Sequence, residues 1–409
     1  MASAFFPLDE ELHLLPGHYT PQLQAAMTRL GSKLPFEQAV EEVWLNQQTQ
    51  VEETTLRQTT YRHGQAAEAL ERAEVERLER EAPAAKARPD QLLVSVDGAF
   101  IHLTSGEWRE VKTMAVGEFE RRWNEKAGEV EVKTRDISYF SRSYRIRDFE
   151  RYALAELHRR GLDNARLIAT VNDGSEWTQS FAAYHFPQAV SILDFAHALD
   201  YVATAGKAVL GESTAAFGQW FAGKAAQLKQ KPPQRTIADI CLLEAKATSD
   251  EQRATIDHCR RYLQKRQEMI DYPHFQAKGL PIGSGSVESS HKVVVQSRMK
   301  QAGMRWAEDH VDPMLALRNL VCNGRWSQGW SQIVAYHWQQ QRQQWQQQAN
   351  QQQPASPPIT FASVKVAPAS AAVDNSPPSS TTSQQPHRPA PDHPWRRGIW
   401  PTQEAWRWN

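Results

Sequence analysis

Only three cysteines occur in this sequence, Cys241, Cys259 and Cys322, and none of them forms a Cys-x-x-Cys pair. An odd count without paired spacing excludes a disulfide framework and a zinc finger, and leaves three inert core thiols in a reducing cytoplasm. Charge of one sign is also lacking, since 47 Lys and Arg balance 47 Asp and Glu. A polyanionic partner would therefore have to be held by local basic patches rather than by an overall field. No apolar run reaches the length of a membrane span, and the N-terminus lacks the basic and apolar regions of a secretory signal. The expectation is a cytoplasmic protein with no membrane partner. A real core is affordable: 40% of the 409 residues are hydrophobic, among them 14 Trp and 14 Phe, enough for two or three domains.

Residues 1–90 read as a helical region. Leu30, Leu34, Phe36, Ala39, Val40 and Val43 recur at helical spacing behind Pro35, and a second helix is expected from near Glu52. Two short helices around a polar turn would make a helix-turn-helix with Arg57 and Arg62 in a major groove; a plain helical hairpin also explains the pattern. The Glu-, Arg- and Ala-rich stretch from Ala66 to Arg88 favours a solvated connecting helix.

At residue 91 the pattern changes, and residues 91–210 read as the first part of an α/β core. LLVSVDG is an apolar run suited to a buried strand, with Asp97 at its end and Gly98 opening a turn. AFIHLT and EWREVKTMAVGEF follow as strands joined by Ser105-Gly106, giving a three-stranded meander. SYRIRDFERYALAELHRRG suits a helix ended by Gly161, and ARLIATVND a second buried strand ending at Asp173. WTQSFAAYHF is helical up to Pro187, AVSILD is a strand ending at Asp194, and FAHALDYVATAGKAVL is a helix. Asp194 and His197 form an Asp-x-x-His pair at that junction.

Residues 211–275 lose strand character and read as an all-helical insertion; residues 276–338 complete the core. From residue 339 to 409, glutamine runs give way to Pro, Ser, Thr and Ala, the composition of a disordered tail. It closes with HPWRRGIW and EAWRWN, where Trp and Arg would dock on the core or on nucleic acid.

Within the core completion, GSGSVESSHKVVVQSRMKQAGMR places one carboxylate, Glu288, after a glycine-serine turn and then carries only basic charge. A helix from Val287 to about Gly303, capped by Ser284 or Ser286, would set Glu288 and Lys292 on one face and extend a positive surface through Arg298, Lys300 and Arg305. Taken alone this is a capped surface helix with an i, i+4 salt bridge. The element order, however, is that of a ribonuclease-H-like fold, an α/β (α+β) mixed sheet that gathers carboxylates at one edge. Asp97 and Asp173 lie 76 positions apart and Asp173 and Glu288 lie 115 apart, so only a fold could assemble them, the insertion accounting for the longer gap. Oxygen ligands of this kind suit Mg²⁺ or Mn²⁺, whereas zinc would call for more His and Cys. Singly, each Asp-Gly could be a turn, and Asp194 and His197 a helix cap and a core histidine.

VSVDGAF around Asp97, VNDGSEW around Asp173, ILDFAHALDY around Asp194 and His197, and GSGSVESSHK around Glu288 together resemble the DDE transposases of the ISKra4 insertion-sequence family, within the ISL3-like and Mutator-like group. The likeness runs in order from about Phe6 to Arg325, and HPWRR is similar as well. It implies a bacterial transposase that cuts and rejoins DNA at an element's ends. Asp97, Asp173 and Glu288 would be its metal-binding triad, and Asp194-x-x-His197 the group's supporting signature. Family members carry a cysteine-rich, zinc-binding segment upstream of the part like FPLDEELHLLPG, so this chain is expected to be N-terminally truncated.

Two metal ions would activate a water, and later a 3′-hydroxyl, for in-line attack on a phosphodiester. Lys292 would contact phosphate near the scissile bond, and Arg298 and Lys300 flanking DNA. His197 is expected to support the site or contact DNA rather than ligate metal. The partners are the element's terminal inverted repeats and target DNA, and holding two ends calls for a homo-oligomer. Two other readings are a relic that binds DNA without turnover and a carboxylate-pair glycan hydrolase; the latter leaves the cations around Glu288 unexplained.

Overall fold

The computed structural model describes residues 14–125 and 129–352. Helices α1 (Pro21–Lys33), α2 (Phe36–Gln47) and α3 (Glu53–Glu81) lead in. The Thr20 hydroxyl accepts from the Leu23 amide and Pro21 occupies the first turn of α1, so both start signals are used. The expected pair of short helices is not what forms. With no proline in the way, α3 continues for 29 residues through the Glu/Arg/Ala-rich stretch. Its Gly64 lies against the Pro313 backbone, where a Cβ would come within 2.6 Å of the carbonyl oxygen.

The centre is a five-stranded mixed sheet of β1 (Gln91–His102), β2 (Trp108–Asn124), β3 (Glu129–Arg142), β4 (Leu167–Asn172) and β5 (Val190–Leu193), in the order β3-β2-β1-β4-β5. The first three strands are an antiparallel meander; β4 joins the other side of β1 in parallel, and β5 runs parallel to β4. Two expectations are corrected here. Asp97 and Gly98 do not end a strand: β1 passes straight through them, Gly98 pairing with Lys112. The glycine is used for close approach, since a Cβ would meet the Glu110 carboxylate at 2.3 Å. The third strand of the meander is β3, from a stretch in which no strand was expected.

Alternate residues of β1 serve opposite faces. Leu92, Val94 and Val96 pack with Phe149 of α4 (Ile146–Arg159) and Phe181 of α5 (Glu176–His185). Leu93, with Ala169 and Val171 of β4, packs under α6 (Phe195–Leu210) and the insertion. The stretch after α6 is helical: α7 (Ala215–Gln230), α8 (Pro233–Leu243), α9 (Asp250–Lys265) and α10 (Tyr272–Ala277). Cys259 is buried in it, but Cys241 is exposed and is not a core thiol.

The segment after α10 is α11 (Gly285–Ser290), a π-helical stretch His291–Gln296 and a last turn Ser297–Met299, followed by α12 (Glu308–Cys322) and α13 (Trp326–Gln352). The uniform helix expected up to Gly303 is thus interrupted by a π segment. On α12 and at its C-cap, side chains stand in for a neighbouring strand along the open edge of β3. Asn323 exchanges two hydrogen bonds with the Tyr139 backbone, Asn319 accepts from the Ser141 amide and Asp312 from the Ser143 amide. A row of strand amides is thereby covered.

The lead-in helices are not a separate body. Phe36 and Tyr61 pack into the cluster of Val294, Val295 and Trp306, and Ala66 and Ala67 pack on Leu317 and Ile333. A disordered tail from residue 339 is also corrected, because α13 carries the first glutamines to Gln352. Glutamine is a good helix former, and Trp330 packs beside α3. Residues 1–13 and 353–409, with HPWRRGIW and EAWRWN, lie outside the described residues. No helix among the described residues is long and apolar enough to cross a membrane.

Candidate active site

Strand register sets the first two carboxylates. The β1–β4 ladder runs in parallel from Gln91 opposite Leu167 to Val94 opposite Thr170. Asp97 and Asp173 each stand three residues beyond that last pair, at one level on neighbouring chains. Past the ladder, the Asn172 side chain continues the connection, its Oδ1 accepting from the Val96 amide at 2.8 Å. Asp97 shares the parity of Leu93, which packs under α6, and of Ile101, which packs against the π-helical stretch and α12.

Each aspartate is fixed on one oxygen. Asp97 Oδ1 accepts from the Gly98 amide at 2.7 Å. Asp173 Oδ1 accepts from the Ser175 amide at 2.9 Å and the Thr178 hydroxyl at 3.2 Å, with its second oxygen left open. The backbone beside Asp173 is held by the insertion: Tyr262 of α9 donates to the Asp173 carbonyl at 2.8 Å, and Arg266 donates twice to the Gly174 carbonyl. Gly174 has φ +75°, and a Cβ there would strike Leu193, Arg266 and Tyr262 within 2.9 Å. Only glycine suits that turn.

The third carboxylate arrives on α11. Asp194 caps α6, Oδ1 accepting from the His197 amide at 3.0 Å, while Oδ2 accepts from the Ser284 amide at 2.5 Å. With the Phe195 amide bonded to the Ile282 carbonyl at 2.9 Å, this ties the end of β5 to the loop that launches Glu288. The cap expected of Asp194 is present and has a second task. Glu288 itself is exposed, no serine side chain caps α11, and no ion pair joins Glu288 to Lys292 among the described residues. One helical turn on, His291 brings its Nε2 within 3.3 Å of Asp97 Oδ2. The ring is 4% exposed, and neither nitrogen makes an aligned hydrogen bond. A buried imidazole without directed partners, beside a carboxylate that is 37% exposed on its side chain, is a feature of a site more than of a core.

The remaining candidates divide. Lys292, Lys300 and Arg305 are exposed and unpaired with any carboxylate among the described residues. His197 is exposed, not a core histidine. Arg298 is corrected as a DNA contact: it is 1% exposed, donates to the Gly31 carbonyl at 2.9 Å and lies over the rings of Phe36 and Trp306. Burial pulls its pKa down to about 10. Arg62 is corrected as well, since its guanidinium donates to Gln24 Oε1 at 2.8 Å and braces α3 against α1. Arg57 is exposed in a 3.5 Å pair with Glu53.

In kind, three carboxylates fit a hard divalent cation such as Mg²⁺ or Mn²⁺. In arrangement, no three His, Cys, Asp or Glu side chains among the described residues are grouped to hold a metal ion. The fit is therefore one of donor chemistry and strand register, without a preassembled cage. His291, Tyr262 and Arg266 carry no signal of this kind in the sequence beyond the i, i+3 spacing of His291 from Glu288, and Ser284, expected as a helix cap, serves instead through its backbone amide on Asp194. No family model matches this chain, and no curated protein matches it.

Proposed function

We propose that this chain is a DDE-type transposase, a metal-dependent enzyme that cleaves and rejoins DNA at the ends of an insertion sequence, on a ribonuclease-H-like core. The observation that carries this reading is that Asp97 in β1 and Asp173 just past β4 each lie three residues beyond the last pair of the parallel β1–β4 ladder, while His291, three residues after Glu288, comes within 3.3 Å of Asp97 Oδ2. The sheet order β3-β2-β1-β4-β5 with helices on both faces supports the fold assignment. Asp97, Asp173 and Glu288 would hold two Mg²⁺ or Mn²⁺ ions, which when bound activate an attacking oxygen and neutralise charge on the phosphate. Lys292 would bind phosphate next to the cleaved bond, and Lys300 and Arg305 the flanking backbone. Asp194 sets the Glu288 loop, and His291 holds Asp97 Oδ2. His197, exposed on the first turn of α6, would meet DNA. Two element ends would need two copies of the chain, acting in a bacterial cytoplasm.

The second reading, a DNA-binding protein without turnover, draws on the carboxylates not being grouped. Incubating the protein with end-labelled DNA from the borders of its own element, with Mg²⁺ or Mn²⁺, separates the two. Nicked and joined products that Asp97→Asn abolishes support the transposase. Tight binding of those ends with no product under either metal supports the second reading.

A further inference from the structure

Along β1 beyond Asp97, and along the basic segment beyond Glu288, the two chains of residues converge again at a small cavity. It measures about 230 Å³ and is lined by His102, Trp108, Met299, Lys300, Met304 and Arg305, among others. That is below the roughly 300–1,000 Å³ of pockets for drug-sized ligands, a size for one ring system. Its wall is braced by backbone: the Trp306 amide donates to the His102 carbonyl at 3.0 Å, the Thr104 amide to the Trp306 carbonyl at 2.9 Å, and the Trp306 indole to the Met299 carbonyl at 3.0 Å. The Trp108 ring stacks on His102 with centroids 4.8 Å apart. Its other face is open, Trp108 being 61% exposed.

The cavity's charge is of one sign. Lys300 and Arg305 have no carboxylate partner among the described residues, while the nearby Glu308 is taken by Arg109. An aromatic plate with a free face beside two unpaired cations is the chemistry that holds a base and its phosphate. His102 lies five residues beyond Asp97, about 17 Å along a strand, or about five nucleotide steps of a DNA strand at 3.4 Å.

We propose that this cavity takes an unpaired nucleotide of DNA, its base stacked on Trp108 and its phosphates on Lys300 and Arg305. The proposal rests on the reading that DNA is the partner. It adds that DNA with an unstacked base is preferred over intact duplex.

The test is fluorescence anisotropy of a labelled 20-nucleotide single strand and of the same sequence as blunt duplex, in EDTA so that no cleavage intervenes. The intact chain should prefer the single strand. Trp108→Ala, at an exposed position, should weaken single-strand binding by at least about fivefold and leave duplex binding unchanged. Trp108→Phe should restore most of the loss. Lys300→Ala and Arg305→Ala should each lower the salt slope for the single strand by about 0.7. Equal single-strand affinity for Trp108→Ala and the unaltered protein overturns the inference. If duplex is bound while Trp108→Ala changes nothing, the cavity assignment alone fails; if neither form of DNA is bound, both readings fail.

Discussion

His291 Nε2 lies 3.3 Å from Asp97 Oδ2, joining the helical segment that carries Glu288 to the strand that carries Asp97. The ring is buried, and among the described residues no aligned hydrogen bond reaches it, so its contact with Asp97 ties it to β1. Groups that orient metal-ligating carboxylates are worth about 10- to 100-fold in metal affinity or activity. On the proposed reading, His291→Ala reduces Mn²⁺-dependent DNA cleavage by at least about tenfold, read as initial rate. His291→Asn, which keeps a polar group near Asp97, should recover part of it. Recovery of activity by raised Mn²⁺ would place the defect in ligand positioning.

Asp194 works at a distance from the chemistry. It accepts from two backbone amides, those of His197 and Ser284, and so joins a helix cap to the loop before Glu288. Hydrogen bonds to a charged group are worth about 1.5–3 kcal/mol each and a cap about 1 kcal/mol. Asp194→Ala should lower stability in urea by roughly 2–4 kcal/mol, and Asp194→Asn by less, since its carbonyl can still accept one of the two. Equal losses for both variants would contradict the two-amide account.

Arg298 should behave as a core residue. Removing a guanidinium that serves the Gly31 carbonyl between two aromatic rings costs about 2–4 kcal/mol by ordinary hydrogen-bond and cation-π magnitudes. Lysine lacks the planar fork and should not rescue. Arg298→Ala is expected to lower the melting temperature, while protein that remains folded binds DNA with an unchanged salt slope.

Acid should loosen the docking of α13. His63 Nδ1 and His337 Nε2 are 3.0 Å apart, joining α3 to α13, and His63 also meets Gln24. Burial, with Arg62 nearby, lowers His337 to about 4, and burial with His337 lowers His63 to about 2. Both folded values lie below the unfolded one near 6.5. The unfolded chain thus binds more protons below that pH, and stability falls as pH drops from 6.5 towards 4. Melting temperature should be flat above pH 7 and fall between pH 6.5 and 4.5, and His337→Gln should reduce the slope.

Much of the fold was legible because the buried strands are short apolar runs closed by Asp or by a helix start, as in LIATVN and VSIL. What was misread has physical causes. Asp97-Gly98 has the composition of a turn, but β2 lies alongside and Gly98 makes room for Glu110, so the strand continues. Strand β3 is rich in charge and sits at the sheet edge, with a register irregularity near Val116 and Glu118, and so carries little apolar signal. Arg298 stands among basic neighbours that suggest a surface, but a π segment precedes it and its side chain is buried against Gly31. The carboxylates are recognisable one by one, while the ties that join the Glu288 segment to β5 and β1, Asp194 to Ser284 and His291 to Asp97, span 90 and 194 positions and belong to the fold.

The most direct test of the central claim is Mn²⁺ binding followed by calorimetry on the full chain with and without end DNA. If Asp97, Asp173 and Glu288 hold the ions together, the unaltered protein binds Mn²⁺, and Asp97→Asn, Asp173→Asn and Glu288→Gln each weaken it by about tenfold or more without altering the melting temperature of the apo-protein. Binding that persists undiminished in all three variants, or no Mn²⁺ binding by the unaltered protein even with DNA present, would contradict the account.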